Sequence, residues 1–229
     1  MTAERMAGMA LFPLFLDLNG RDCLVLGGGA VAARKAERLA LFGGRVRVWA
    51  REYGDAIRAL ADRRQVVLLE PQLLPQKLAA QAFLVVCATS DAALNADIRR
   101  YCLEHRIFVN SATTDDTGGA GGDACEYGDT AFIFPSLILK AGLSVGISVD
   151  PPAPSLSRKV RQDIEARLPD WYGSLGQRLA ACRKRLKELE PDARVRSRIM
   201  GRLTEYGFEH EGRISDSVFD KIIDEEKNL

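Results

Sequence analysis

The chain has 229 residues, a hydrophobic content of 47%, and 32 basic against 31 acidic residues, which give a formal net charge of +1. Such a chain is long enough for one large or two modest domains with a hydrophobic core, and its composition excludes intrinsic disorder. Because the charges balance, we expect no partner that depends on a strong overall charge, neither nucleic acid nor a membrane surface.

The cysteines and the first residues of the chain bear on its location in the cell. The five cysteines are widely spaced without a Cys-x-x-Cys pair, which favours a reducing, cytoplasmic environment over disulfides or a zinc site. The two histidines are far apart, so no metal site is predicted. The apolar stretch 6–18 is interrupted by Pro13 and Asp17 and is too short to span a bilayer, so we expect neither a signal peptide nor a membrane anchor.

The first predicted core strand, residues 21–26, leads directly into a glycine turn. Its continuous apolar run is typical of a parallel strand that is covered on both faces. Gly27, Gly29 and Ala32 then fit the pattern G-x-G-x-x-G/A. The first glycine permits a tight turn, the second lets a pyrophosphate approach the backbone, and the small third residue lets a helix pack on the strand. The N-terminus of that helix favours the phosphate charge.

The residues after the glycines supply the context that a nucleotide motif requires. A helix is predicted over 31–42, ended by a glycine pair, and a second strand over 45–50, so strand, helix and strand follow within about thirty residues. The tip of the second strand holds Arg51 and Glu52. A carboxylate there binds the ribose hydroxyls of NAD, whereas an arginine accommodates the 2′-phosphate of NADP, and the spacing leaves both alternatives open.

Further alternating helices and strands complete the predicted sheet. They are a helix over 53–64, a strand over 66–69, a helix over 76–81, a buried strand over 82–88, a helix over 92–105 and a last strand over 107–110. The buried strand ends at Thr89, at the carboxyl edge where open α/β sheets bind ligands. Thr89 faces the cofactor in one interpretation. In the other, Ser90 or Asp91 caps the next helix.

Residues 111–130 change in composition and predict a loop rich in glycine, threonine and aspartate. Loops at strand ends often carry catalytic groups, although a plain surface insertion has the same composition. Two strands are predicted next, over 131–139 and 143–149. Because a two-stranded ribbon alone is marginally stable, these strands are expected to pack on the rest of the chain or on a second subunit.

A proline-rich break at 151–154 precedes a helical region. The first helix of that region is predicted over 157–168 and carries Arg158, Lys159 and Arg161 near its start. These side chains are candidate ligands for an acidic substrate, or equally an ordinary solvated helix surface.

Four motifs in order resemble the precorrin-2 dehydrogenase family, which is also the amino-terminal module of siroheme synthase. They are L-F-P-L-F-L-D-L-N-G-R-D-C-L-V-L-G-G-G-x-V-A-x-R-K, then V-V-C-A-T-S-D-A-A-L-N, I-F-V-N and F-I-F-P-S, and the similarity covers about residues 11–168. The resemblance implies an α/β fold of three parts. A Rossmann-type parallel-sheet domain over 1–113 is followed by a loop and β-ribbon dimerisation strands over 114–150, and then by a small helical domain over 151–229.

The same resemblance implies NAD-dependent oxidation of precorrin-2 to sirohydrochlorin in siroheme biosynthesis by a cytoplasmic homodimer. The family's cofactor contacts fall on Ala30 and Val31 at the helix start and on Arg51 and Glu52 at the strand tip. The family's preference for NAD then favours NAD over NADP at this tip.

Two departures from the family pattern concern the chemistry. The aspartate that the family carries three residues after the strand-ending asparagine is replaced here by Thr113, and Asp115 and Asp116 follow it as catalytic candidates. A Ser-Ser-Gly-Gly stretch of the family is replaced by residues 148–151, in which Ser148 remains a candidate for substrate binding together with Arg158.

Three functions follow from this interpretation. The first is the dehydrogenase, in which an aspartate accepts a proton beside the nicotinamide. The second is a ferrochelatase, bifunctional or dedicated, with Fe²⁺ and sirohydrochlorin as substrates and no resident metal. The third is a non-enzymatic tetrapyrrole carrier that retains NAD as a structural ligand.

Overall fold

The computed structural model describes residues 12–111, 131–149 and 153–227. The chain divides into two compact units, Met1–Phe134 and Pro135–Leu229, and each is described separately. Within the described residues, no helix is both long and apolar enough to cross a lipid bilayer.

The first unit is a five-stranded parallel sheet with the strand order β3-β2-β1-β4-β5. Its elements alternate along the chain as β1 (Asp22–Leu26), α1 (Ala30–Leu41), β2 (Arg45–Trp49), α2 (Asp55–Asp62), β3 (Val66–Leu68), α3 (Pro75–Ala79), β4 (Leu84–Cys87), α4 (Ala92–Glu104) and β5 (Phe108–Ser111). The strand order reverses at β1, which pairs with β2 on one side and with β4 on the other. Such a reversal opens a crevice at the carboxyl ends of the strands.

Strand β1 is covered on both faces, as its continuous apolar run predicts. Cys23 and Val25 face the core that α1 and α2 close, whereas Leu24 and Leu26 face the core that α3 and α4 close. All four side chains are fully buried. The sheet is therefore a rigid support for the turns that leave its carboxyl edge.

The second unit combines a hairpin with four helices. The strands β6 (Ser136–Lys140) and β7 (Leu143–Ile147) pair antiparallel, and the helices are α5 (Pro154–Arg167), α6 (Trp171–Leu189), α7 (Ala193–Glu209) and α8 (Asp216–Lys227). The hydrophobic core of this unit lies between α6, α7 and α8, around Leu186, Ile199, Leu203 and Phe219.

The ribbon starts later than the sequence predicts. Ala131 donates a backbone hydrogen bond to Val109 O (2.8 Å), so the residues assigned to the start of the strand run beside β5 instead. Phe132 and Phe134 pack against the core of the first unit. Pro135, which has no backbone N–H to donate, separates this stretch from β6.

Two contacts fix the hairpin to the helices that follow it. Lys140 Nζ donates to the carbonyl oxygen of Leu168 (2.5 Å) at the end of α5 and pairs with Asp170 (3.1 Å). In α6, a Cβ atom on Gly173 would lie 1.9 Å from the carbonyl oxygen of Ala141, so the helix and the hairpin turn approach to backbone contact.

A buried carboxylate joins α7 to α8. Glu226 accepts hydrogen bonds from Arg198 Nε (3.0 Å) and Arg202 Nη1 (3.3 Å), and Arg202 also pairs with Glu225 (2.7 Å). The hydrogen bond from Arg198, supported by that from Arg202, lowers the pKa of Glu226 although burial opposes the shift. This carboxylate therefore stays ionised at neutral pH.

Candidate dinucleotide site

The first glycine of the turn lies against β4. Gly27 has a φ of +131°, a backbone conformation that side chains rarely adopt, and a Cβ there would lie 2.2 Å from the carbonyl oxygen of Ala88. Its N–H donates to the carbonyl oxygen of Trp49 (2.8 Å). The turn therefore requires glycine at this position for both its dihedral angle and its close approach.

The second residue of the turn is equally constrained, although the motif leaves it variable. A Cβ on Gly28 would lie 1.9 Å from the carbonyl oxygen of Glu52, and the carbonyl oxygen of Gly28 accepts a hydrogen bond from Gly54 N (3.0 Å). The glycine turn is thus fixed to the loop after β2. Sequence analysis did not single out Gly28, because its requirement arises from a tertiary contact.

The third glycine differs from the other two. Gly29 has ordinary extended dihedral angles (φ −86°, ψ −176°), and a Cβ there would meet no described atom within 4 Å. It precedes α1, which has no side-chain N-cap and no acidic residue in its first turn. The N–H groups at the start of α1, including those of Ala30 and Val31, therefore have no capping side chain among the described residues, as a pyrophosphate site at this helix end requires.

The tip of β2 carries the two predicted cofactor-binding residues. Both Arg51 and Glu52 are exposed, and Arg51 Nη2 lies 3.4 Å from Asp91 Oδ2 in the turn after β4. Glu52 forms no ion pair with a described residue, so its carboxylate is available to a ligand.

The turn after β4 is held by side-chain hydrogen bonds. Thr89 Oγ1 donates to Asn95 Oδ1 (2.7 Å) and accepts from Asp91 N (3.1 Å), while Asn95 Nδ2 donates to the carbonyl oxygen of Thr89 (2.9 Å). Asp91 Oδ1 accepts from Leu94 N (3.0 Å) and caps α4. Of the two sequence interpretations, the structure gives Asp91 the capping role, and a direct contact of Thr89 with cofactor stays a prediction.

A buried lysine connects α1 to the end of β5. Lys35, which is 6% exposed, donates from Nζ to Asn110 Oδ1 (2.7 Å), and Asn110 Nδ2 donates to the carbonyl oxygen of Phe132 (2.9 Å). The Lys35 ammonium also lies 5.3 Å from the centre of the Phe134 ring. The chain segments on either side of residues 112–130 are therefore joined at the carboxyl edge of the sheet.

The predicted catalytic residues Asp115 and Asp116, and Thr113 before them, lie outside the described residues. Their catalytic role stays a prediction. The described residues that bear on it are Asn110 and Phe132, which are hydrogen-bonded to each other on either side of this segment. Among the described residues, no group of three His, Cys, Asp or Glu side chains could hold a metal ion.

Three buried cysteines of the first unit are chemically inert. Burial raises the pKa of the Cys87 thiol, at the end of β4, to about 12, and that of Cys23 and Cys102 to about 11. These thiols stay protonated at neutral pH, so none of the three is a nucleophile.

The predicted substrate residues lie in the second unit. Ser148 and Arg158 are both exposed. Of the three cations at the start of α5, Lys159 pairs with Asp163 (3.0 Å) and Arg161 pairs with Glu165, four residues further along the same helix. Arg158 forms no ion pair with a described residue. It is thus the cation of this group whose charge is available to an external carboxylate.

The strand order, the glycine turn and the open N-terminus of α1 define a dinucleotide-binding fold of the Rossmann class. The predicted fold class is confirmed. Residues 14–136 match the family model NAD_binding_7, described as "Putative NAD(P)-binding", and the chain belongs to this family. A nicotinamide dinucleotide is accordingly its class of cofactor.

Relatives with a curated name include siroheme synthases. Siroheme synthase 1 of Yersinia pestis (strain Pestoides F) is 34% identical over 180 residues, 79% of this chain and 35% of its own length. The siroheme synthase of Nitrosococcus oceani is 30% identical over 188 residues, 82% of this chain and 37% of its own length. This chain thus spans about a third of the length of these relatives, and the predicted resemblance is confirmed.

A solved structure shares the fold of almost the whole chain. SirC, a precorrin-2 dehydrogenase, aligns with a TM-score of 0.66 over 96% of this chain and 100% of its own, at 21% sequence identity. The similarity in fold therefore includes the hairpin and helices of the second unit.

Proposed function

We propose that this protein is an NAD-dependent dehydrogenase that oxidises precorrin-2 to sirohydrochlorin in siroheme biosynthesis. The observation that carries the proposal is the start of α1, which has no side-chain cap and where no described atom lies within 4 Å of a Cβ on Gly29. The siroheme synthase relatives and the likeness in fold to SirC support the choice of substrate.

The residues of the first unit fit two parts of a nicotinamide dinucleotide, the pyrophosphate and the adenosine ribose. Its pyrophosphate would approach Gly29 and accept hydrogen bonds from the N–H groups of Ala30 and Val31. The Glu52 carboxylate would accept hydrogen bonds from the adenosine ribose hydroxyls, which favours NAD over NADP. When bound, the nicotinamide ring supplies the hydride acceptor.

Oxidation of precorrin-2 removes one hydride and one proton from the substrate. The protein must therefore hold a proton acceptor beside the carbon that reacts. Asp115 and Asp116 are the proposed acceptors, because the segment that contains them starts after β5 and returns next to it through Asn110 and Phe132. A neutral Thr113 cannot accept this proton as a carboxylate does.

The substrate is a polycarboxylate, so cations are required along its binding surface. Arg158 is the proposed cation, because its neighbours Lys159 and Arg161 are already paired with acids on α5. Ser148, just after β7, is the proposed hydrogen-bond partner of a substrate carboxylate.

The ribbon supports a homodimer. In the described part of the chain, β6 and β7 pair with each other alone and leave both outer edges without a strand. Open edges of an isolated ribbon are stabilised by pairing or by covering. A second copy of the chain is the proposed cover.

Insertion of Fe²⁺ into sirohydrochlorin is a second candidate function, and the name of the siroheme synthase relatives favours it. Iron would then be a substrate, and the same aspartates would accept the pyrrole protons. The test is iron insertion above the uncatalysed rate that is lost in Asp115→Asn or Asp116→Asn.

A turnover assay with precorrin-2 tests the dehydrogenase. We expect the protein to reduce NAD when precorrin-2 is added, and expect loss of that activity in Asp115→Asn, Asp116→Asn or the double variant. Asp123→Asn is the matched control, since it removes a carboxylate from the same segment. Absence of NAD reduction by the wild type would refute the proposal, and tight binding of sirohydrochlorin without turnover would favour a carrier.

A further inference from the structure

One ion pair spans the carboxyl end of β1. Arg51 follows β2 and Asp91 follows β4, the two strands that flank β1, and Arg51 Nη2 lies 3.4 Å from Asp91 Oδ2. The glycine turn leaves β1 between these two ends and contacts both of them, through Ala88 and Glu52. The ion pair therefore lies at the crevice where the dinucleotide is proposed to bind.

Asp91 is the fixed member of this pair. Its Oδ1 accepts from Leu94 N (3.0 Å) at the start of α4, and its own N–H donates to Thr89 Oγ1 (3.1 Å) in the turn after β4, so both its carboxylate and its backbone are held. Its side chain is 37% exposed, whereas that of Arg51 is 77% exposed. Asp91 therefore sets the position of the negative charge, and the more exposed Arg51 side chain extends to it.

We propose that Asp91 is a specificity-determining residue that selects NAD against NADP by engaging Arg51. An arginine at the tip of β2 is the residue type that accommodates a 2′-phosphate. Here its guanidinium already lies 3.4 Å from the Asp91 carboxylate. A 2′-phosphate would have to compete with the fixed Asp91 carboxylate for Arg51 and would be bound close to that like charge. This inference rests on the proposed function, because it assumes that a dinucleotide occupies the crevice.

The variant Asp91→Asn tests the charge without removing the helix cap. Asparagine caps helices as well as aspartate, and an exposed ion pair contributes little to folding. We expect the ratio of the NADP to the NAD dissociation constant to fall about five- to tenfold at low ionic strength, as for one unit charge at a screened distance. Added salt should reduce this difference in the ratio between Asp91→Asn and wild type, because salt screens charges. A purely structural effect of the substitution would not depend on salt in this way.

Titration calorimetry of the full chain with NAD and with NADP gives this ratio directly. The double variant Asp91→Asn/Arg51→Gln should lose the gain in NADP affinity, because the freed guanidinium is then absent. The control is Asp97→Asn, which removes the acid of another exposed pair on α4, with Arg100 at 2.8 Å, and should leave the ratio unchanged.

The outcomes separate this inference from the proposed function. Wild-type protein that binds neither dinucleotide would refute both. Binding of NAD with a ratio that is the same in wild type and Asp91→Asn, or a wild type that prefers NADP, would refute the role of Asp91 and leave a dinucleotide site in place.

Discussion

Replacing Gly29 with alanine is expected to abolish tight dinucleotide binding while leaving the fold intact. The dihedral angles of Gly29 suit any residue, and no described atom lies within 4 Å of the added Cβ. The cost to folding is therefore limited to a poorer helix N-cap, about 1 kcal/mol. In the complex, the added methyl group would occupy the space into which the pyrophosphate has to move.

The expected loss of affinity follows from the hydrogen bonds at this position. A hydrogen bond to a charged group contributes about 1.5–3 kcal/mol. Loss of the close approach to the N–H groups of Ala30 and Val31 would cost about 3 kcal/mol if one or two such bonds are broken, which is roughly a 100-fold increase in the NAD dissociation constant.

The neighbouring glycine provides the contrast. Gly27→Ala puts a Cβ 2.2 Å from the Ala88 carbonyl oxygen at a φ of +131°, so we expect the free energy of unfolding to fall by about 2–5 kcal/mol. Gly201→Ala, in α7 with no described atom within 4 Å of the new Cβ, is the control, and it should raise stability by up to about 1 kcal/mol without affecting NAD binding.

Urea unfolding and titration calorimetry on the same samples separate the two effects. Gly29→Ala should unfold at nearly the wild-type urea concentration and bind NAD about 100-fold more weakly. Wild-type affinity for NAD in Gly29→Ala would refute the assignment of the pyrophosphate to this turn, and so would a loss of stability as large as that of Gly27→Ala.

Three further predictions concern the supports of the site and the second unit. Lys35→Met leaves the buried Asn110 amide without its lysine partner, so the free energy of unfolding should fall by about 1–3 kcal/mol. We expect kcat to fall and the NAD dissociation constant to stay the same. An unchanged kcat would contradict this positioning role. The pKa of Glu226 is lowered in the folded state, so its contribution to stability is present above the unfolded value of 4.5 and is lost as the pH falls below that value. In urea unfolding at pH 7 and pH 3, the free energy of unfolding should therefore fall less on acidification in Glu226→Gln than in wild type. Gly173→Ala would force a Cβ to 1.9 Å from a backbone oxygen of the hairpin and should lower the melting temperature, whereas Gly176→Ala, in open space on the same helix, should not.

The local signals in the sequence predict the sheet and the glycine turn well. The continuous apolar run of β1 and the spacing of Gly27 and Gly29 depend on neighbouring residues alone, and the structure confirms the parallel strand and the turn. The ion pair of Arg51 with Asp91 could not be predicted in this way, because the strand order brings the two residues close and the sequence between them does not.

Contacts between distant segments account for what the sequence does not reveal. The need for glycine at position 28 comes from the carbonyl oxygen of Glu52, and Lys35 meets Asn110 across 75 residues. The start of β6 was predicted five residues early because the apolar run continues through Pro135, while the backbone before it pairs with β5. Each case depends on tertiary packing that no local pattern encodes.

The most direct test of the central claim is the stoichiometry of turnover when purified protein is mixed with precorrin-2 and NAD. The proposal predicts one sirohydrochlorin formed for each NADH, with a rate that falls in Gly29→Ala at limiting NAD and recovers as NAD is raised. Formation of sirohydrochlorin without NADH, or no conversion of precorrin-2 at saturating NAD, would contradict it.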